Sequence, residues 1–301
     1  MALKRLLLKI EKREVLGKMS GMQNMKNIAK SIMVSSLLLG FMVFPTLAAG
    51  VAERPEARDW SFGGVFGRYD RGELQRGFQV YIEVCSSCHS LKHVYYRNLG
   101  DDGGPGFSEA EVKAIAAKFE VTDGPNNSGE MFTRSALPRD PFVSPFANDA
   151  EARSINGGAL PPDLSVITKA RSIERGFPGW FVDLFTGYQE QGTDYTYALL
   201  SGYADKPKDV HLQDGMYYNK YFVGQQIAMP APLSDDQVEY ADGTSATVNQ
   251  MAHDVTAFLM WTAEPKLEER KRLGFQVIVF LIVFSTLLFL TKKKIWSRVE
   301  H

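Results

Sequence analysis

Cysteine is almost missing: Cys85 and Cys88 are the only two in 301 residues, so no disulfide framework can staple a chain of this size. The sequence shows no internal repeat, no glycine-rich phosphate loop and no serine or cysteine triad signature. Those absences exclude a solenoid, a nucleotide-binding loop and a triad hydrolase. Net charge is also nearly missing, at −1 from 34 basic and 35 acidic side chains. What is present is ordinary globular composition, 45% hydrophobic and 23% charged. A wholly disordered chain is thereby excluded, and the length leaves room for two domains.

The neutrality is a cancellation. Residues 1–49 and 266–301 together hold 16 of the 34 basic groups and only five of the 35 acids, leaving 50–265 with 18 against 30, a net of −12. An acidic body between basic ends argues against nucleic-acid binding.

Both ends carry apolar runs. Ser31–Phe44 (SIMVSSLLLGFMVF) follows Lys26 and Lys30 and leads into Pro45, Ala48, Ala49 and Gly50. A basic start, a short apolar stretch and small residues read as a secretory signal peptide over 1–49, with a retained anchor as the rival reading. Met19, Met22 or Met25 would each give a leader of more usual length, which makes an over-extended start one expectation. A two-part mitochondrial presequence competes, but Glu11 and Glu14 count against it. Near the other end, Leu273 to Thr291 is 19 residues without a charge, about 28 Å of helix, which matches the hydrocarbon thickness. Lys292, Lys293, Lys294 and Arg298 follow, with Trp296 suited to the interface. The positive-inside bias puts this C-terminus in the cytoplasm. The expected organisation is a leader over 1–49, an extracytoplasmic domain over 50–265, a juxtamembrane segment and transmembrane helix over 266–291, and a basic tail over 292–301.

Within the body, Asp70 with Glu73 opens a helix over 71–86, with Leu74, Phe78, Tyr81 and Ile82 at helical spacing. Ser108 with Glu111 opens a second, carrying Val112, Ile115, Ala116 and Phe119. Residues 122–162 are rich in Gly, Pro, Asn and Ser, so loop is expected there. Arg175–Leu184 reads as a short helix followed by loop through Met229. Thr247 with Gln250 caps a last helix that ends before Pro265. The expected fold is mainly α with long loop insertions.

Cys85-Ser86-Ser87-Cys88-His89 is C-x-x-C-H, the pattern for covalent attachment of c-type haem. Two thiols three residues apart at a helix end can each form a thioether to a porphyrin vinyl group, and the adjacent histidine reaches the iron. A zinc site would want two further soft ligands, and no third cysteine exists. A redox dithiol would want an α/β context, and a disulfide over this span is geometrically tight. The sixth iron ligand is open among His93, His211, His253, Met131, Met216, Met229, Met251 and Met260. Met251 and Met260 fit a helix core, and His93 lies too near the proximal ligand to reach the opposite face. Met229 is favoured by Pro230 and Pro232, which stiffen its loop, with Met216 and His211 next.

Five segments in order, Arg76–Leu91 (RGFQVYIEVCSSCHSL), Val121–Phe132 (VTDGPNNSGEMF), Asn156–Ser165 (NGGALPPDLS), Tyr221–Pro232 (YFVGQQIAMPAP) and Ala263–Arg272 (AEPKLEERKR), closely resemble the cytochrome c1 family. The resemblance runs from about Trp60 through the anchor. It implies a cytochrome c-type domain with one covalent haem c, Met229 as distal ligand, Arg153 directed at a haem propionate, and Pro161 and Pro162 packed on the haem. The family often has an aromatic residue soon after the LPPDLS stretch; Val166 and Ile167 stand there here. Some bacterial members have an extra disulfide, which two cysteines already in the haem motif cannot supply. Tyr95-Tyr96-Arg97 either lines the haem edge or packs in the core.

By the same resemblance, electrons pass from the Rieske iron–sulfur subunit to a soluble or tethered cytochrome c. The setting is a dimeric quinol–cytochrome c oxidoreductase with cytochrome b, so the chain acts as a non-autonomous subunit of an enzyme. The implied location is the bacterial cytoplasmic membrane with the haem domain periplasmic, or alternatively the mitochondrial inner membrane. The acidic body then steers a basic partner, with Asp140, Asp149, Glu151, Asp205, Asp209 and Asp214 as candidates. A free-standing tethered electron carrier and a haem sensor with an open sixth site are the competing functions.

Overall fold

Asp70 begins the first helix among the described residues, α1 (Arg71–Glu83), by accepting the backbone N–H of Glu73 at 3.0 Å. The Glu73 carboxylate does not close the expected box but accepts from Ser61 Oγ at 2.7 Å. A helical turn at Cys85–Ser87 continues the chain past α1. Ser108 and Glu111 make a full reciprocal box at the start of α2 (Glu109–Ala116). Farther along lie α3 (Asp149–Ile155), α4 (Ile167–Ala170), α5 (Gly176–Thr186) and α6 (Gln191–Ser201). Thr247 caps α7 (Val248–Ala263), and α8 (Leu267–Trp296) closes the chain. This computed structural model describes residues 52–171, 176–186, 190–208 and 210–297. The expected leader over 1–49, the candidate acid Asp209 and the basic residue Arg298 lie outside the described residues.

The core forms where α1 crosses α7. Gly77 sits at the closest approach: a Cβ there would strike the Asp254 carbonyl, and Phe258 Cβ lies 2.7 Å away. Around the crossing an aromatic cluster of Phe78, Tyr81, Tyr96, Phe142, Phe258 and Trp261 is buried. Tyr96 stacks on Phe142 at 4.6 Å between centroids, so of its two expected roles it takes packing. Arg97 lies over the Tyr95 ring.

Polar contacts staple the same crossing. Arg76 reaches across to the fully buried Asp254 with two bonds, of 2.9 and 3.1 Å, and to Asp242 at 2.8 Å. Gln250 donates to both Asp254 oxygens. Burial alone would raise the Asp254 carboxyl, but its bonds to His253, Arg76 and Gln250 outweigh burial and hold it below the usual range.

Two expectations of loop are corrected. Within 122–162, α3 and an antiparallel pair, β1 (Glu120–Asp123) with β2 (Phe132–Ser135), give order, with Glu120 opposite Ser135. Arg134 on β2 ties this pair down by bonding Asp123 and both oxygens of Asp140. Between Leu184 and Met229, α6 is an almost wholly buried helix, and Gly192 within it presses on the Thr168 carbonyl of α4. A two-residue pair, β3 (Tyr217–Tyr218) with β4 (Gln226–Ile227), precedes Met229. The mainly α architecture stands as expected.

The helix α8 has 30 residues, about 45 Å of length, with 267–296 exposed almost throughout, so it fits a membrane anchor. Packing of the body continues across the boundary expected at residue 265. Leu267 is buried, Glu268 accepts the backbone N–H of Tyr69 at 3.0 Å, and Lys271 donates to the Phe62 carbonyl.

Candidate haem site

The C-x-x-C-H motif sits where α1 gives way to a tighter turn. The N–H groups of Cys88 and His89 both return to the Cys85 carbonyl, at 3.1 and 2.9 Å. The two intervening serines cap carbonyls that the ending helix leaves open: Ser86 Oγ donates to Ile82 and Ser87 Oγ to Val84. Both cysteines are free thiols, not bonded to each other. The protein around Cys85 pushes its thiol up to about 12, aided by neighbouring Cys88.

His89 is oriented from two sides. Tyr81 hydroxyl donates to its carbonyl at 3.0 Å, and its Nδ1 lies 2.8 Å from the Pro162 carbonyl. A carbonyl only accepts, so Nδ1 carries the hydrogen and Nε2 keeps its lone pair for a metal. Burial lowers the histidine pKa, against the Pro162 bond and Asp163, favouring the neutral ligating form.

Asp163 locks this geometry. Its carboxylate accepts from Ser90 Oγ at 2.7 Å, from the Lys92 N–H at 2.8 Å and from the Ser165 N–H at 2.9 Å. Ser165 Oγ accepts from the His93 N–H, and Leu164 N–H donates to Ser90. Burial would raise Asp163, but these bonds prevail and keep its carboxyl low. Residues 89–93 and 162–165 are thus zipped together.

Met229 is held by a separate set of contacts. Tyr203 hydroxyl donates to its carbonyl at 3.0 Å. Asn219, wholly buried, organises the preceding loop: its amide donates to Leu199, and its oxygen accepts from Tyr221 and Phe222. Gly224, at φ +78°, makes the turn between them. Of the other ligand candidates, Met251 and Met260 lie in the core and His253 stacks on Trp60 at 4.6 Å. Met131 is exposed on the β1–β2 unit, His93 and His211 are exposed, and Met216 is half-buried.

Arg153 is exposed on α3 and donates to the Gly158 carbonyl at 3.2 Å. Pro161 is half-buried and Pro162 exposed, and the Pro162 carbonyl on His89 is a role that side-chain reasoning did not anticipate. Asp140 is spent on Arg134, which drives its carboxyl to about 2, so it is no free docking charge. Asp149, Glu151, Asp205 and Asp214 remain exposed.

The donor set fits a c-type haem: two thiols three residues apart on one turn, a neutral imidazole with a fixed free nitrogen, and a loop-borne thioether. Residues 60–299 match the model of the Cytochrome C1 family. The chain belongs to the cytochrome c1 family. It is 46% identical over 272 residues to a cytochrome c1 of Blastochloris viridis, covering 89% of this chain and 96% of the relative. It is 44% identical over 247 residues to cytochrome c1 1, heme protein, mitochondrial, of Arabidopsis thaliana, covering 80% and 73%. A Bradyrhizobium diazoefficiens protein named Cytochrome b/c1 is 57% identical over 247 residues, 82% of this chain but only 36% of that relative. Membership of the cytochrome c1 family places the chain among haem proteins of electron transport in the cytochrome bc1 complex.

Proposed function

We propose that the chain carries one haem c, joined by thioethers to Cys85 and Cys88 and ligated by His89 and Met229. We further propose that it passes electrons from the Rieske iron–sulfur subunit to cytochrome c within quinol–cytochrome c oxidoreductase. The observation that carries the reading is the Nδ1 contact of His89 with Pro162 beside two free thiols. When bound, the haem supplies a one-electron iron couple, raised in potential by methionine–histidine ligation relative to two histidines.

The residues of this chain position and insulate. Pro162 and Tyr81 orient His89, and Tyr203 with Asn219 steadies the loop that presents Met229. Arg153 serves a haem propionate, and Pro161 and Pro162 pack on the ring. Exposed Asp149, Glu151, Asp205 and Asp214 belong to the −12 surface that attracts a basic partner. The chain works as a non-autonomous subunit beside cytochrome b in a dimeric complex. Its leader over 1–49 is removed, α8 anchors it in the bacterial cytoplasmic membrane, and the haem domain faces the periplasm.

Purification of the native membrane complex tests this. One haem per chain should survive denaturing electrophoresis attached to this polypeptide, with cytochrome b and an iron–sulfur protein co-purifying and quinol reducing cytochrome c. Haem extractable into acidified acetone would overturn covalent attachment. An isolated, partner-free chain would favour the free-standing carrier, and ready binding of carbon monoxide to the reduced form would remove Met229.

A further inference from the structure

The loop over 61–68 is a closed turn with an apolar tip. Arg68 N–H donates to the Ser61 carbonyl at 3.0 Å, and Gly63 N–H to Trp60 at 2.8 Å. Gly64 turns at φ +62°, and a Cβ at Gly67 would strike the Gly63 carbonyl, so the closure depends on both glycines. Phe62 at its base is fully buried and stacks on Trp60 at 5.4 Å. The tip does the reverse: Val65 is 59% exposed and Phe66 75% exposed.

The height of that tip is fixed by α8. The Phe66 ring meets Phe275 edge-to-face at 5.6 Å, and Lys271 donates to the Phe62 carbonyl at the base of the loop. Phe275 lies four residues beyond Lys271, about 6 Å deeper along the helix, in the first turn of the uncharged run that begins at Leu273. Phe66 therefore sits level with the first apolar turn of the anchor. Arg68 and Arg272, both exposed, flank the site.

We propose that this loop is a membrane-inserting wedge, with Val65 and Phe66 entering the leaflet on the haem-domain side. Arg68 and Arg272 stay among the lipid phosphates. The occupant is lipid because the apolar tip is continuous with the lipid-exposed start of α8, because cations flank it, and because two side chains on a protruding turn suit a fluid surface. The wedge rests on α8 being the membrane anchor.

Nitroxide labels at Phe66→Cys and Val65→Cys, in the intact reduced complex in phospholipid nanodiscs, test it through collision with oxygen and with a water-soluble nickel chelate. Cys85 and Cys88, engaged in thioethers, offer no competing thiol on this chain. Oxygen should dominate several-fold at both positions, as at Val279→Cys or Leu281→Cys within α8, while Ala114→Cys on α2 should favour the chelate. Chelate-dominated collisions at 65 and 66 would overturn the wedge, and low collision with both reagents would mean that another subunit covers the tip, also overturning it. If Val279 and Leu281 read as water-exposed, the anchor reading fails as well; if they read as lipid, only the wedge has failed.

Discussion

Met229 lends only a weak thioether, so what fixes it matters as much as what it is. With Tyr203 and Asn219 holding its loop, Met229→Leu should leave the fold intact while lowering the haem potential by at least about 60 mV, a tenfold change in a one-electron equilibrium. Redox titration of the purified complex reads this, and an unchanged potential would assign the ligand elsewhere. Asp254 is a fully buried carboxylate bonded by Arg76 and Gln250 at the α1–α7 crossing. Its carboxyl is depressed in the folded chain, so the stabilisation is full above the ordinary carboxylate value near pH 4 and fades as pH falls below it. Asp254→Asn should cost about 1–3 kcal/mol at neutral pH by weakening the charged bonds from Arg76 and Gln250, with Asp242 still holding Arg76, and denaturant melts should show that gap closing in acid. The site was legible wherever chemistry is local: Cys85, Cys88 and His89 stand in one pentapeptide. Met229 was reachable through its prolines and the family resemblance. Asp163, Tyr203 and Asn219 were not, because a residue that works by bonding backbone far away in sequence leaves no spacing to read. The family resemblance points to the ring of Pro162, while its carbonyl is what meets His89.

Helix α1 crosses α7 with a glycine at the contact, and that sets the sign of the simplest helix substitution. Gly77→Ala would gain about 1 kcal/mol on an exposed helix from propensity; here it should instead destabilise by about 1–3 kcal/mol, because the new methyl meets the Asp254 carbonyl. Thermal melting of the holoprotein distinguishes the two outcomes. Capped amphipathic helices were readable in advance: α1, α2 and α7 begin at Asp70, Ser108 and Thr247, where their side chains accept the third N–H. Helix α6 escaped because it is buried nearly all round and begins without a side-chain cap, which erases both periodicity and start signal. Helix α3 and the β1–β2 pair escaped because glycine and proline density masked seven- and four-residue elements. The β1–β2 pair is pinned by Arg134 and its two carboxylates, with Val121 of β1 packed on the core.

Across the whole molecule, the segregation of charge carries a kinetic expectation. With −12 on the body, the bimolecular rate of cytochrome c reduction should fall by about tenfold or more from low to physiological ionic strength. Stopped-flow mixing across a salt series measures it, and a flat profile would mean that the acids only keep the domain soluble. The grip of the body on the first turn of α8, through Leu267, Glu268 and Lys271, has a mechanical meaning. Head and anchor form one rigid crank, so the compass direction in which the head faces is dictated by helical phase. One residue inserted after Arg272 should swing the head by about 100° about the membrane normal and disconnect it from its neighbours. Four inserted residues, about 6 Å longer, should return it to within about 40°. Turnover of the assembled complex should collapse with the first insertion and partly recover with the second, as if the membrane helix were a dial.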